Sequence, residues 1–507
     1  VAARVTSLRL PALRGLESTP LSRLLIEVDG TEGEIALTGA DVDAKTASGS
    51  LDRLSVLSTG SRASISSARA ATPLADGLAL GDARVPSDLV RFRGSLPLAP
   101  GTNVLWIVGR LHDDVDLDGR IAVAWKELRF SDGRRLAPRP DTDPAPSPSR
   151  TGVALRRAGD GGVHTTRIPG LATTAKGTLI AVYDLRHGGA GDLPADIDVG
   201  MSRSVDGGRS WEPTRTIIDM GSDPDWRQDG VGDPSILVDR RSNTIWVAAL
   251  WSHGDRGWTG SGPGLEPTQT GQLVLVKSED DGKTWSRPIN ITKQVKRPEW
   301  TLLLQGPGKG IRMKDGTLVF PAQYRDSVEK GRIPHSTIIS SRNGGRSWRA
   351  GTGAHPHTTE AQVVETEPGV LMLNCRYDRG NQRVVMISRD LGATWSEHES
   401  SRKLLVEPGA CMASLIEVGG ELGDAPRGHL IFSNPDSEHA RERITVKASR
   451  DGGRTWPPEL RILLDEGRGA GYSCLTMIDD ETLGILYEGS LAHLVFQRIA
   501  LADLDGR

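Results

Sequence analysis

The fold is decided by Ser204-Val205-Asp206-Gly207-Gly208-Arg209-Ser210-Trp211, a motif of the form Ser-x-Asp-x-Gly-x-Thr/Ser-Trp. The Asp carboxylate can accept backbone N–H groups across a tight hairpin, the glycine tolerates positive φ, and the tryptophan can pack between sheets. The motif recurs four more times, once with Asn343 in the Asp place, at Ser278–Trp285, Ser341–Trp348, Ser388–Trp395 and Ser449–Trp456. The motifs therefore indicate structure rather than chemistry.

The motif tryptophans are spaced 74, 63, 47 and 61 residues apart. Each motif follows an apolar, alternating segment, and glycine-opened segments such as Gly177–Val182 and Gly316–Phe320 lie upstream of most of them. A strand pair repeated at this interval is typical of a β-propeller blade. A sixth pair, at Thr482–Tyr487 and Leu494–Ile499, has no motif. We predict an all-β protein with a six-bladed β-propeller.

Composition excludes several classes of protein. The 507 residues carry 62 Lys and Arg against 65 Asp and Glu, a net charge of −3, which argues against a nucleic-acid-binding protein. No apolar run approaches the length of a membrane span. The 60 Gly and 30 Pro favour many short strands, and three cysteines are too few for a disulfide framework.

A Pro-rich stretch divides the chain. Residues 137–150 read as an extended linker. Residues 1–136 have short alternating segments and predict a β-sandwich, either carbohydrate-binding or structural, and residues 151–507 form the predicted propeller. The chain opens at Val1 with neither an initiator Met nor a signal-type apolar stretch, so we expect that a targeting segment was removed or the sequence was trimmed.

Polar side chains recur where the glycine-opened strands end. Equivalent positions hold Asp184, Gln323, Arg376 and Glu488. Because buried charge is costly unless it is paired or used, a ring of such residues is a candidate site, with a solvated rim as the alternative.

Three arginines lie at strand ends: Arg167, Arg376 and Arg441. A single surface arginine is usually solvated, but three brought together would repel one another unless an anion bridges them. Such a cluster is a fixed receptor for a carboxylate. The strand ends also offer Asp192 and Glu360, and Tyr472, which with a neighbouring glutamate could serve as an oxygen nucleophile.

As an ordered set, these motifs resemble those of bacterial exo-α-sialidases, which share a six-bladed propeller with trans-sialidases and viral neuraminidases. The resemblance runs from about Val163 to Ile499. It implies a carboxylate-binding triad of Arg167, Arg376 and Arg441, with Arg443 as the alternative third member. It also implies Asp192 as general acid, ahead of the nearby Asp196 and Asp198, and Tyr472 as nucleophile. The remaining implied roles are Glu360 as the base for Tyr472, Glu488 as the residue that orients Arg167, and Arg186 and Asp233 as substrate contacts.

The resemblance implies hydrolysis of terminal α-linked sialic acids on glycoproteins, glycolipids and oligosaccharides, with retention through a sialyl-tyrosine. A neutral tyrosine suits this substrate because an anionic nucleophile would be repelled by the sugar carboxylate. We expect a raised pKa for Asp192, which must begin protonated. No cofactor or metal is required by this chemistry, and a secreted or cell-surface, monomeric enzyme is expected.

Three alternatives remain open. A trans-sialidase needs an acceptor platform, for which Trp251, Trp258 and Trp300 are candidates, although packing between blades is the commoner role of such residues. An intramolecular enzyme would release an anhydro sugar. A non-catalytic propeller would only bind glycans, but binding alone needs no tyrosine–glutamate pair.

Overall fold

The computed structural model describes residues 1–6, 8–29, 35–62, 74, 76–84, 87–140, 148–221, 229–419 and 428–505. The protein is all-β, as predicted. The helical elements described are short turns: α1 (Thr292–Val295) and the 3₁₀ turns Asp160–Gly162, Pro458–Leu460 and Leu501–Leu504.

The residues cluster into two compact units. The first comprises Val1–Leu155, Leu463–Gly469 and Gly489–Gln497. The second comprises Arg156–Ile462, Ala470–Glu488 and Arg498–Arg507. Within the predicted linker, residues 141–147 lie outside the described residues, and the domain boundaries at 136 and 150 stay a prediction.

The first thirteen strands of the described residues begin in the first unit. They are β1 (Ala2–Thr6), β2 (Ala12–Arg14), β3 (Thr19–Val28), β4 (Ala36–Asp43), β5 (Leu51–Ser58), β6 (Leu78–Ala79), β7 (Leu89–Pro97), β8 (Gly101–Leu111), β9 (Arg120–Ile121), β10 (Ala124–Phe130), β11 (Arg135–Leu136), β12 (Arg139–Pro140) and β13 (Ser149–Arg156).

Two sheets form most of this unit, in the orders β12-β1-β3-β8-β5-β6 and β11-β10-β4-β7. Burial alternates along several of their strands, although β8 is buried over most of its length. In β3, Leu24, Ile26 and Val28 are buried while the intervening residues are partly exposed. Each such strand therefore has one apolar face and one more polar face, as in an antiparallel sheet covered on one side.

The remaining described strands are β14 (Thr165–Thr173), β15 (Leu179–Arg186), β16 (Ile197–Ser204), β17 (Arg215–Ile218), β18 (Gly230–Asp239), β19 (Thr244–Ser252), β20 (Gln272–Ser278), β21 (Ile289–Asn290), β22 (Leu302–Gln305), β23 (Gly308–Lys309), β24 (Ile311–Arg312), β25 (Leu318–Arg325), β26 (Pro334–Ser341), β27 (Arg349–Ala350), β28 (Thr358–Glu367), β29 (Val370–Tyr377), β30 (Val384–Ser388), β31 (Ser396–Glu397), β32 (Ser414–Glu417), β33 (Leu430–Pro435), β34 (Ile444–Ser449), β35 (Arg461–Asp465), β36 (Ser473–Met477), β37 (Thr482–Tyr487) and β38 (Leu494–Ala500).

In the second unit these strands form successive antiparallel sheets. Their strand orders are β14-β15-β16-β17, β18-β19-β20-β21, β22-β25-β26-β27, β28-β29-β30-β31 and β32-β33-β34, and β36 pairs with β37. The strands predicted before the five motifs are β16, β20, β26, β30 and β34, so those predictions are confirmed.

The motif turns have the predicted geometry. In the first turn, Asp206 accepts the backbone N–H of Ser210 at 2.8 Å, and Gly208 has φ of 86°. The copy with asparagine keeps the same bond, because the Asn343 amide oxygen accepts the Ser347 N–H at 3.0 Å. Replacing Asp by Asn preserves the acceptor, so the turn survives the substitution.

Neighbouring sheets of the second unit pack face to face through buried apolar side chains. One cluster joins the sheets of β15 and β19 and includes Val182, Met201 and Val247. Similar clusters join the second sheet to the third, the third to the fourth and the fourth to the fifth, around Phe320, Leu373 and Phe432. Each sheet is thus buried on its faces, which explains the nearly continuous apolar strands in this part of the sequence.

Candidate active site

The candidate residues lie where strands of the second unit begin or end at the same edge of their sheets. Arg167, near the start of β14, pairs in register with Asp184, near the end of β15. Because antiparallel neighbours run in opposite directions, the start of one strand meets the end of the next. Of the four aligned strand-end positions, Asp184, Arg376 and Glu488 make contacts within one cluster of polar groups.

Irregular strand geometry sets the direction of three side chains of the site, those of Arg167, Asp233 and Glu360. The pairing register shifts between Arg167 and Gly170, between Gly232 and Ser235, and between Thr358 and Ala361. Ile168 and Asp233 have positive φ, 59° and 57°, and each precedes a proline that cannot continue a regular ladder. Such bulges redirect side chains next to functional sites.

Glu488 is a buried carboxylate that holds two parts of the site. It receives the Nε and Nη2 groups of Arg167 at 2.9 and 3.0 Å. It also accepts the backbone N–H of Ile168 and of Tyr472, each at 2.9 Å. Burial alone would raise the pKa of Glu488, but Arg167 and these N–H groups lower it, so the carboxylate stays charged.

Tyr472 and Glu360 form a close pair. The Tyr472 hydroxyl donates to the Glu360 carboxylate, with both oxygens 2.7 Å away, and accepts from Arg376 Nη1 at 2.8 Å. Arg376 also contacts Glu360 directly. Burial, and then the charge of Glu360, raise the pKa of Tyr472 well above its usual value. The phenol is therefore neutral, with a proton acceptor in place.

The other two arginines of the predicted triad flank the same tyrosine. The guanidinium carbons of Arg167 and Arg441 lie 5.2 and 5.3 Å from the centroid of the Tyr472 ring. Arg441 is fixed by the carbonyls of Ala470 and Ala410, at 3.0 and 3.3 Å. Arg443, the alternative, is exposed. The structure thus brings Arg167, Arg376 and Arg441 around one tyrosine.

Asp192 sits at the rim of this cluster, with its side chain 79% exposed. Its carboxylate lies 2.7 Å from Arg186 Nη1 and 3.8 Å from Arg167 Nη1. Burial would raise the pKa of Asp192, but Arg186, Arg167 and Arg441 together lower it. The expected raised pKa is therefore wrong for the substrate-free enzyme, because three guanidinium groups outweigh desolvation.

Asp196 and Asp198, the weaker candidates for the acid, have different surroundings. Asp198 lies on β16 and pairs with His187 at 3.0 Å. Burial, followed by the charge of Asp219, raises the pKa of Asp198 to about 6. Asp196 accepts the His187 backbone N–H through its own carbonyl oxygen. Of the three, Asp192 is the one that forms ion pairs with the arginine cluster in the described residues.

Asp233 is held through its backbone. Its N–H donates to Asp184 Oδ1 at 2.8 Å, and its carbonyl accepts from the Gln305 side chain. Burial, and then the charges of Asp184 and Glu360, raise the pKa of Asp233 well above the usual value. A carboxyl group that tends to stay protonated can donate a hydrogen bond to a sugar hydroxyl.

Two residues of the cluster have no role implied by the resemblance. Asp184 is 1% exposed and receives Arg186 Nε and Nη2 at 3.1 and 2.9 Å. Gln305 is fully buried at the end of β22. The sequence located Asp184 through its place at an aligned strand end, but it contained no signal for Gln305.

The tryptophans considered as an acceptor platform make packing contacts. Trp300 is 4% exposed and stacks on Tyr324, with ring centroids 3.9 Å apart. Trp251 has an edge contact with His253, and Trp258 lies beside Arg325. Trp300 is therefore a core residue, which is the structural reading that the sequence favoured.

The cysteines, the possible metal ligands and the helices bear on whether the described residues contain a disulfide, a metal site or a membrane span. The three cysteines are free and buried. Within the described parts of the chain, no group of three or more His, Cys, Asp or Glu side chains is arranged to hold a metal ion. In the same residues, no helix has the length and apolar character needed to cross a membrane.

Comparisons with known proteins agree with this geometry. The BNR repeat-like domain matches residues 168–420. A sialidase of Bacteroides fragilis is 50% identical over 425 residues, covering 83% of this chain and 77% of that protein. A sialidase of Paraclostridium sordellii is 31% identical over 366 residues, covering 68% and 86%. The solved structure of Hadza microbial sialidase Hz136 superposes with a TM-score of 0.90 and 41% identity, covering 99% of this chain and all of that one.

Fold and site together fit a carbohydrate-active enzyme, with three arginines gathered around a neutral, buried tyrosine. The chain belongs to the sialidase family.

Proposed function

We propose that this exo-sialidase hydrolyses terminal α-linked sialic acids with retention, through a covalent sialyl-tyrosine. The observation that carries the proposal is the Tyr472 hydroxyl, which is shared between Glu360 and Arg376 inside a cluster of arginines. Sialylated glycoproteins, glycolipids and oligosaccharides are the proposed substrates, in keeping with the sialidase relatives.

Binding begins with the sugar carboxylate. Arg167, Arg376 and Arg441 supply fixed positive charge, and a guanidinium matches a carboxylate in a bidentate geometry. Arg167 is oriented by Glu488, so its remaining Nη1 group faces outward from that pair. The bound carboxylate would relieve the mutual repulsion of the three arginines. Arg186 and Asp233 are proposed to contact the ring hydroxyl and the N-acyl group.

The first chemical step joins Tyr472 to the sugar. As its oxygen attacks the anomeric carbon, the phenolic proton passes to Glu360, and the glycosidic carbon–oxygen bond breaks. Asp192 gives its proton to the departing oxygen. A neutral nucleophile is favoured because the carboxylate on the anomeric carbon would repel an anionic one.

The second step releases the sugar. A water molecule attacks the same carbon, Asp192 accepts the proton of that water, and the bond to Tyr472 breaks. The proton on Glu360 returns to the phenolate. Two inversions at one carbon give net retention.

We also propose the finer architecture. The second unit is inferred to be a six-bladed propeller, supported by contacts between successive inner strands and by contacts of β36 with both β32 and β14. The two sheets of the first unit are inferred to form a β-sandwich. Residues 1–136, 137–150 and 151–507 remain the proposed sandwich, linker and catalytic propeller.

We propose that the enzyme works outside the cell or at its surface, because sialylated glycans lie outside cells. We also propose that it acts as a monomer. Hydrolysis is proposed over transfer and over anhydro-sugar formation. Trp300 is buried in a stack with Tyr324, which supports a packing role rather than an acceptor platform.

Proton NMR of the enzyme acting on α2,3- and α2,6-sialyllactose tests this function. The proposal predicts that α-sialic acid appears first and mutarotates later. Initial release of β-sialic acid would contradict retention, and an anhydro or transferred product would replace hydrolysis by one of the alternatives. A folded protein that releases nothing would favour the binding-only alternative.

A further inference from the structure

Asp184 is buried beneath the proposed catalytic groups and has no role in the proposed reaction steps. Its side chain is 1% exposed, and its two oxygens serve different partners. Oδ2 receives Nε and Nη2 of Arg186, at 3.1 and 2.9 Å. Oδ1 receives the backbone N–H of Asp233 at 2.8 Å. One buried carboxylate therefore joins two strands at the site.

Arg186, held by Asp184, binds in turn the segment that carries Asp192. With Nε and Nη2 engaged by Asp184, Nη1 donates to the carbonyls of Ala190 and Gly191 at 2.8 and 3.0 Å. The same Nη1 lies 2.7 Å from Asp192 Oδ1. The Arg186 side chain is 2% exposed, whereas that of Asp192 is 79% exposed. A rigid, buried guanidinium thus holds an exposed carboxylate.

The glycines that precede Asp192 have little packing of their own. A Cβ atom added at Gly188, Gly189 or Gly191 would meet no atom within 4 Å. Glycine also leaves the backbone more conformational freedom than any other residue. The residue after Asp192, Leu193, packs against a small apolar cluster, so the bonds from Arg186 hold the chain on the side before Asp192.

We propose that Asp184 is a positioning residue. By fixing Arg186, it holds Asp192 where that residue can protonate the leaving oxygen. The other carboxylate oxygen of Asp184 fixes the backbone of Asp233. This inference rests on the proposed function, in which Asp192 is the general acid. Asp184 itself touches neither the acid nor the proposed position of the leaving group.

The test compares two substrates that differ in their need for an acid. Sialyllactose has a sugar alcohol as leaving group and needs protonation, whereas 4-nitrophenyl α-sialoside releases a stable phenolate and needs little. For Asp184→Asn, we expect kcat/KM on sialyllactose to fall at least about tenfold more than on the aryl sialoside. The basic limb of the pH profile on sialyllactose should also shift.

Asp281→Asn is the matched control. Asp281 is likewise a buried partner of an arginine, lying 2.7 Å from Arg203, and it binds the hydroxyls of Thr174 and Thr178. Those threonines lie beyond the end of β14 opposite to Arg167. This variant should lose stability without discriminating between the two substrates.

Equal losses on both substrates in Asp184→Asn, or no loss on either, would overturn the inference. If that variant does not fold, Arg186→Gln decides the matter, because it removes the guanidinium through which Asp184 is inferred to act on Asp192. Arg186→Gln should then lose at least about tenfold more kcat/KM on sialyllactose than on the aryl sialoside, and equal losses on both would overturn the inference. A wild-type enzyme that cleaves neither substrate would instead contradict the proposed function.

Discussion

The hydroxyl of Tyr472 lies 2.7 Å from both carboxylate oxygens of Glu360, and these residues are 112 positions apart in sequence. The pair is buried and is bordered by the guanidinium group of Arg376. Glu360 can therefore take the phenolic proton at the moment of attack, while the arginine favours the developing phenolate. The proposed catalytic role of the pair rests on this relationship, because a site that only binds an anion would need no such proton acceptor.

Loss of the Tyr472 hydroxyl should remove most turnover. We expect Tyr472→Phe to lower kcat by roughly 10³-fold or more, because the covalent route is lost, while product affinity is largely kept. Steady-state kinetics and calorimetry with free sialic acid measure both. Tyr377→Phe, next to Arg376 on β29, is the control and should keep near-normal kcat. Near-normal turnover in Tyr472→Phe would exclude it as the nucleophile.

The third arginine of the cluster can be identified by comparing two neighbours. Arg441→Ala should reduce kcat/KM by about 10- to 100-fold, the usual effect of losing a hydrogen bond to a charged group. Arg443→Ala should change it by less than about twofold, because Arg443 is exposed. Kinetics of both variants on one aryl sialoside check this assignment. The opposite order of effects would reassign the role to Arg443.

Glu488 should contribute stability that depends on pH. Its pKa is lowered in the folded protein, so its contribution is present above the unfolded value of about 4.3 and is lost as the pH falls through the folded pKa. Glu488→Gln should cost roughly 3 kcal/mol near neutral pH, the scale for breaking a buried ion pair.

Thermal midpoints of wild type and Glu488→Gln, measured from pH 7 downward, test this dependence. The gap between the two proteins should be largest at pH 7 and shrink once the wild-type carboxylate is protonated. A gap that does not change with pH would show that the charge of Glu488 is not what stabilises the fold.

Substrate binding should raise the pKa of Asp192. The free enzyme holds this pKa below its usual value through Arg186, Arg167 and Arg441. A bound sugar carboxylate would neutralise part of that charge, and the sugar would exclude water from Asp192. Because the acid must be protonated, activity falls as the pH rises through its pKa.

The basic limb of kcat, which reports the complex, should therefore lie at higher pH than the basic limb of kcat/KM, which reports the free enzyme. Profiles of both parameters on sialyllactose measure the separation. Coincident limbs would mean that the substrate carboxylate does not influence the acid.

Much of this molecule could be predicted from its sequence. The five turn motifs are local devices whose Asp, Gly and Trp act within eight residues, so their strands and turns followed directly. The site residues came from the ordered set of motifs, and the structure brings all nine of them together, seven on strands or beside their ends and two, Asp192 and Arg441, in the loops between strands.

The properties that could not be predicted depend on contacts between residues that are far apart in the sequence. The low pKa of Asp192 arises partly from Arg441, which is 249 residues away in the chain. The double role of Asp184 depends on a bulge at Asp233 in another sheet. In both cases one of the partners belongs to a different strand pair, where residue spacing carries no information.

The central claim is the covalent sialyl-tyrosine, and peptide mapping by mass spectrometry tests it most directly. A 2,3-difluorosialic acid probe should react with the wild-type enzyme and persist, because fluorine destabilises the oxocarbenium-like transition state of hydrolysis. The account predicts a single added sialyl group on the peptide that contains Tyr472, and none on Tyr472→Phe. An adduct on Glu360 or Asp192, or inactivation that adds no mass to the Tyr472 peptide, would contradict it.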